Sequence, residues 1–225
     1  DQVIGLHLMG CHEVGEIFLP DGAIMAGIGG FRIIVTGKGG HGSRPDLSIN
    51  PIHPACQILL QISSIPTNRH SPFDTCVVSP CKIVGGTANN IIPDTAEIAG
   101  NVRYLRLGDA EVLMGEIRRI ATNVAASYGA TAELIHKKKM GIPVVNNAQC
   151  AQKGREIAQE MGLTVLPPHD PNLGNDDFSW LLNEYPGFYA NLGCHKEGAD
   201  TNIHNCRYDI DERSLALGAE FFVSY

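Results

Sequence analysis

The sequence predicts an α/β protein with a ferredoxin-like β-α-β-β-α-β unit inserted into a host domain. Three observations predict it. Residues 31 to 138 read as strand, helix, strand, strand, helix, strand, the order of a four-stranded antiparallel sheet with two helices on one face. The flanks instead alternate helix and strand, a pattern that expects a mostly parallel sheet buried on both sides. The 225 residues, 44% hydrophobic and 18% charged, have globular composition and length enough for one large or two small domains.

The inserted unit opens with the β-rich run Phe31 to Thr36, cut by Gly37-Lys38-Gly39-Gly40-His41-Gly42. Asn50 reads as a helix N-cap with Pro51 at the first helical position. Ile52, Ala55/Cys56, Leu59 and Ile62 follow at helical spacing, so a helix is expected to about Ile65, before Pro66. Thr75 to Val84 and Thr95 to Leu105 read as strands, joined through Gly85-Gly86-Thr87-Ala88-Asn89-Asn90. A second helix begins near Asp109, with Leu113, Ile117, Ile120, Val124 and Tyr128 as its buried stripe and Gly129 as its stop. Thr131 to Lys137 closes the unit as a strand.

In the flanks, residues 1 to 26 offer two short strands, and residues 142 to 147 read as a hinge. Helix at Ala148–Met161, strand at Thr164–Leu166, helix at Asp176–Glu184, strand at Phe188–Leu192 and helix at Asp211–Tyr225 follow. These strands are too few for a complete sheet of that kind.

Seventeen basic against 24 acidic residues give a net charge of −7. With no basic face, nucleic acid is excluded as a partner, and Lys137-Lys138-Lys139 reads as a solvated turn. No apolar stretch approaches the ~20 residues that a membrane span needs. Seven cysteines, an odd number with no C-x-x-C pair, point to a reducing, cytoplasmic setting with most cysteines structural.

Several polar residues stand out by position. His7 lies near the C-terminal end of an apolar strand, where open α/β sheets place ligand groups, although a hydrogen-bonded strand-end histidine reads equally well. His204 sits in a loop leading to the last helix, either as a ligand or as a plain loop residue. The glycines around His41 serve close approach to a ligand or simply a tight loop. Asn90 and Arg103 frame a strand, and an arginine suits bidentate recognition of a carboxylate. Asp176 and Asp177 suit a helix N-terminus at least as well as a catalytic role. Neither a nucleophile elbow nor a phosphate-loop pattern is present.

Taken in order, Gly5-Leu6-His7, Gly37-Lys38-Gly39-Gly40-His41-Gly42-Ser43-Arg44-Pro45, Gly85-Gly86-Thr87-Ala88-Asn89-Asn90-Ile91-Ile92-Pro93-Asp94, Gly100-Asn101-Val102-Arg103, Gly174-Asn175-Asp176-Asp177-Phe178 and Ile203-His204 carry a resemblance. The chain resembles the C-terminal part of the di-metal aminoacylase/carboxypeptidase family. The branch is that of the amidohydrolases, with the hippurate hydrolases and indole-acetyl-amino-acid hydrolases. The resemblance implies a zinc-peptidase-like α/β catalytic domain, incomplete here, in residues 1–27 and 142–225. It implies a ferredoxin-like lid and dimerisation domain in residues 28–141.

It further implies metal-dependent hydrolysis of the amide bond of N-acyl amino acids or small peptides. Two divalent metal ions, zinc or manganese, serve the full-length protein, and a homodimer forms through the lid. By resemblance His7 and His204 are metal ligands, His41 stabilises the oxyanion, and Asn90 and Arg103 hold the substrate's amide and carboxylate. The family's general-base Glu and its remaining ligands normally precede Gly-Leu-His, so the chain is expected to be a cut piece, inactive alone. The alternative is a non-catalytic dimerisation or ligand-binding module derived from the same family.

Overall fold

The computed structural model describes residues 1–200 and 203–225. The chain divides into two compact units, one of residues 1–25 with 143–225 and one of residues 26–142. The first unit begins with β1 (Val3–Met9), β2 (Glu16–Phe18) and β3 (Gly22–Met25).

The second unit is the expected β-α-β-β-α-β with short additions. Its principal elements are β4 (Gly27–Thr36), α1 (Ile52–Ile62), β6 (Cys76–Gly85), β8 (Thr95–Tyr104), α3 (Asp109–Ser127) and β9 (Thr131–His136). Between them lie β5 (Gly40–His41), a one-turn α2 (Ile65–Asn68) and β7 (Ile91–Ile92). The four long strands form an antiparallel sheet in the order β6-β8-β4-β9. Burial alternates along β4, with Phe31, Ile33 and Val35 inside and Gly30, Arg32 and Thr36 outside, because successive side chains point to opposite faces. Ile33, Ile98 and Val102 from the sheet and Ile58, Ile62 and Ile117 from the helices are all at 0% exposure in one core. Each such side chain contributes about 1.5–3 kcal/mol of apolar burial.

Three details depart from the sequence reading. The first helix ends at Ile62 rather than Ile65. Ser63 Oγ donates to the Leu59 carbonyl and Ser64 Oγ to that of Gln61, a competition that disfavours helix, and Pro66 then opens the separate turn α2. Pro51 takes the cap position of α1, while Asn50 Oδ1 accepts the Ile52 N–H at 3.0 Å. Tyr128 is not in the buried stripe: it lies past the last helical residue and is 43% exposed, the helix being stopped by Gly129 at φ 72.

The chain re-enters the first unit through β10 (Val144–Asn146), α4 (Ala148–Glu160), β11 (Thr164–Val165), α5 (Ser179–Glu184), β12 (Gly187–Gly193) and α6 (Arg213–Ser224). Its sheet runs β1-β12-β2-β11, with β1–β12 and β2–β11 parallel and β12–β2 antiparallel. The sheet is therefore mostly parallel, around a core that includes Ile17, Phe188, Leu192 and Phe221. Among the described residues, β1 has a strand partner on one side only.

The segment expected to be a hinge is a strand instead. β10 pairs with β3, and the buried Asn146 bonds the Pro20 carbonyl and both backbone groups of Tyr189. The helix expected from Asp176 starts at Ser179, because Asp176 Oδ1 accepts the Phe178 N–H in a turn before it.

The cysteines are less structural than expected. Cys150 and Cys194 are buried, Cys76 is half-buried, and Cys11, Cys56, Cys81 and Cys206 are exposed. Among the described residues, no helix is long and apolar enough to cross a membrane.

Candidate functional site

His41 sits on a small ribbon built by residues far apart in sequence. β5 pairs antiparallel with β7, placing Gly40 opposite Ile92 and His41 opposite Ile91. The next residue, Gly42, donates its N–H to the Asn90 carbonyl at 2.8 Å. The ribbon is tied to the sheet by Asp94, whose carbonyl accepts the Gly37 N–H at 2.9 Å and whose Oδ1 accepts the Gly39 N–H at 2.8 Å. Lys38 and Ile49 exchange backbone hydrogen bonds on the other side.

The glycine run is explained by this packing rather than by ligand approach. A Cβ on Gly37 would lie 2.1 Å from the Ile49 carbonyl oxygen, and one on Gly40 would lie 2.2 Å from Ser48 Oγ. None of the glycines between 37 and 42 has positive φ.

The exposed imidazole of His41 is held from one side. The Ser43 backbone N–H donates to His41 Nδ1 at 3.1 Å, and Ser43 Oγ lies 2.8 Å from the same nitrogen.

Asn90 and His41 thus share one end of the unit, whereas Arg103 does not join them. Arg103 lies opposite Ile28 on β4 and Val77 on β6, near the far end of β8. Thr95, at the ribbon end, precedes it by eight residues, a strand rise of roughly 26 Å. Its Nη1 is buried and has no hydrogen-bond partner. An unmet buried N–H costs about 1–3 kcal/mol.

In the first unit, His7 lies on β1 opposite Asn191 of β12, with its ring edge-on to Tyr189 at 6.2 Å. His7 Nδ1 is 2.8 Å from the Leu8 carbonyl. A carbonyl only accepts, so Nδ1 carries the proton and Nε2 keeps its lone pair, the arrangement a metal-ligating histidine uses. His204 is exposed and has φ 70, the only positive φ outside glycine among the described residues. Such a conformation costs on the order of 1–3 kcal/mol and collects at functional sites. Among the described residues, no three His, Cys, Asp or Glu side chains come together as a metal site. His7 therefore fits the chemistry of a single donor, and these residues alone do not close a site.

Asp176 proves structural in its contacts, as Oδ2 accepts the Tyr189 hydroxyl at 2.9 Å while Oδ1 makes the turn before α5. Burial, then this hydrogen bond, pushes the Tyr189 phenol well above its ordinary range.

Two residues with a part in the geometry were not singled out from the sequence. Ser43 and Asp94 both lie inside the quoted motifs, but their contacts cross two and 55 residues and carry no periodic signal.

Residues 25–129 match the family model of the M20 peptidase dimerisation domain. Over 97% of its length the chain is 35% identical to thermostable carboxypeptidase 2 of Saccharolobus solfataricus, covering 56% of that protein. It is 32% identical, over 98% of its length, to N-acetylcysteine deacetylase of Bacillus subtilis, covering 57% of that protein. A solved dinuclear metal binding peptidase of the M20 family from Bacillus subtilis superposes on 99% of the chain with a TM-score of 0.81 at 26% identity, 55% of its own length being covered. The chain spans a little over half the length of the relatives it matches.

Proposed function

The chain belongs to the M20 family of peptidases and amidohydrolases, and on that premise we propose that it serves metal-dependent hydrolysis of the amide bond of N-acyl amino acids or small peptides. The observation that carries the proposal is the β5–β7 ribbon, which holds His41 beside Asn90 at one end of the dimerisation unit. Acyl transfer needs a hydrogen-bond donor where negative charge develops on the carbonyl oxygen, and one such donor is worth about 10²–10³ in kcat. His41 Nε2 fills that role, and the Asn90 amide holds the substrate's amide group. Arg103, with its unmet N–H, binds the substrate carboxylate as a planar fork.

The separation of these groups adds a second element to the proposal. An N-acyl amino acid spans roughly 10 Å when extended, so one molecule does not bridge the roughly 26 Å of strand between the ribbon end of β8 and Arg103. We therefore place Arg103 of one copy and His41 with Asn90 of a second copy at each site, in a homodimer formed through residues 28–141. Residues 1–27 and 142–225 are the catalytic part in this reading. There His7 and His204 are two donors of a dinuclear site completed by residues beyond these 225. Held by these histidines and the further ligands, a divalent metal would polarise the scissile carbonyl and lower the pKa of water.

The test is hydrolysis by the metal-loaded full-length protein of N-acetyl amino acids and hippurate-like substrates. His41→Ala is expected to lower kcat by about 10²–10³, and Arg103→Lys to raise KM by about tenfold through loss of the fork. A metal-loaded protein that cleaves none of these substrates, yet still dimerises, leaves the binding-module reading in its place.

A further inference from the structure

We propose that Ser43 is a positioning residue that sets the tautomer of His41, an inference that rests on the reading of His41 as the oxyanion donor. A neutral imidazole carries one proton on either ring nitrogen, and its hydrogen-bond partners decide which. The backbone N–H of Ser43, 3.1 Å from His41 Nδ1, has only a proton to give. Nδ1 must therefore present its lone pair, and the ring proton goes to Nε2. The Ser43 hydroxyl, 2.8 Å from the same nitrogen, then donates as well. The opposite tautomer would set one N–H against another. It would also turn the Nε2 lone pair toward the developing anion, where it repels.

The amide is aimed by the chain on both sides of it. Gly42 N–H is bonded to the Asn90 carbonyl at 2.8 Å, and Arg44 N–H to the His41 carbonyl at 2.9 Å. Ser43 thus offers two donors to Nδ1, one of which survives any side-chain change and one of which does not. The surface position of the ring makes the second donor matter, since water competes for the same lone pair.

The experiment is nitrogen NMR of the full-length protein labelled at histidine, above the ordinary imidazole titration range, with His41 assigned by its loss in His41→Ala. In the unsubstituted protein the His41 proton is expected on Nε2. Ser43→Ala removes one donor and is expected to move the tautomer ratio toward Nδ1–H by about three- to tenfold, the range of one hydrogen bond. It is expected to lower kcat only in proportion to the lost Nε2–H fraction, by less than the ratio changes, with KM nearly unchanged, while Ser43→Thr restores both readouts. A proton on Nδ1 in the unsubstituted protein, or a tautomer ratio unmoved by Ser43→Ala, overturns the proposal. Full activity in His41→Ala would instead overturn the oxyanion reading, and the tautomer measurement is independent of that result.

Discussion

Asp94 Oδ1 accepts the backbone N–H of Gly39 at 2.8 Å, and this contact ties the His41 ribbon to the strand that carries Arg103. Asp94 leads into β8, and its carbonyl also accepts the Gly37 N–H, so one residue holds both ends of the Gly37–Gly39 turn. Asp94→Ala is expected to cost about 1 kcal/mol in denaturant unfolding, the lower part of the range because the bond to this charged acceptor is exposed. Asp94→Asn, which keeps an accepting oxygen, is expected to retain most of that stability. Equal losses in the two variants would mean that the contact does not hold the ribbon.

Two glycine substitutions are expected to have opposite signs. At Gly37 a new Cβ would meet the Ile49 carbonyl at 2.1 Å, and the backbone oxygen there is fixed by its own pairing. Gly37→Ala is expected to destabilise by more than about 2 kcal/mol, the usual scale of overpacking. At Gly115, inside α3, nothing lies within 4 Å of the added atom, and Gly115→Ala is expected to stabilise by about 0.5–1 kcal/mol through helix propensity. Thermal melts of the two variants against the parent check both.

Tyr104 gives the dimerisation unit an alkaline limit. Its hydroxyl donates to the Gly141 carbonyl at 2.8 Å, and burial, then Glu111 and Asp109, push its phenol up to about 12. In the unfolded chain the phenol ionises near ~10, so folding holds the proton more tightly than the unfolded state does. That stabilisation is complete below the unfolded value and is lost as pH rises through the folded one. The gap in unfolding free energy between the parent and Tyr104→Phe is expected to be constant below pH ~10 and to narrow above it. A gap independent of pH would contradict the assignment.

The outer edge of β6 is the expected seam between two copies. β6 is an edge strand, with Ile83 at 44% and Val84 at 50% exposure, and an unpaired edge with apolar side chains invites strand pairing. Replacing Ile83 and Val84 together by Lys is expected to give a monomer in light scattering. A dimer that survives the change would place the seam elsewhere.

The long amphipathic elements were legible in the sequence because periodicity is a local property. Leu113, Ile117, Ile120 and Val124 mark α3 as buried on one side, and the structure buries all four. The same logic overran at Tyr128, where the chain leaves the helix before the stripe ends, and at α1, where Ser63 and Ser64 bond backward and stop the helix early. The β5–β7 ribbon has no such signal. Two residues pair with two others some fifty positions away, and neither pair is long enough to show alternation.

The candidate site followed the same division. Motif order brought out His7, His41, Asn90, Arg103 and His204, but not which of them meet. The adjacency of His41 and Asn90 depends on Gly42 bonding the Asn90 carbonyl. The distance of Arg103 depends on its place in β8, eight positions beyond Thr95. The glycines around His41 were open to two readings, and the Ile49 and Ser48 contacts decide for the tight loop.

Whether His41 and Arg103 act from different copies is the most direct test of the proposed site. Full-length His41→Ala and Arg103→Ala, each expected to be nearly inactive alone at substrate well below KM, are unfolded together, refolded as a mixture and assayed under that condition on an N-acyl amino acid. In a two-fold dimer with shared sites, half the dimers are mixed and each mixed dimer has one intact site, so about a quarter of the parent activity is expected to return. A mixture that exchanges subunits and remains as inactive as its components would contradict the account.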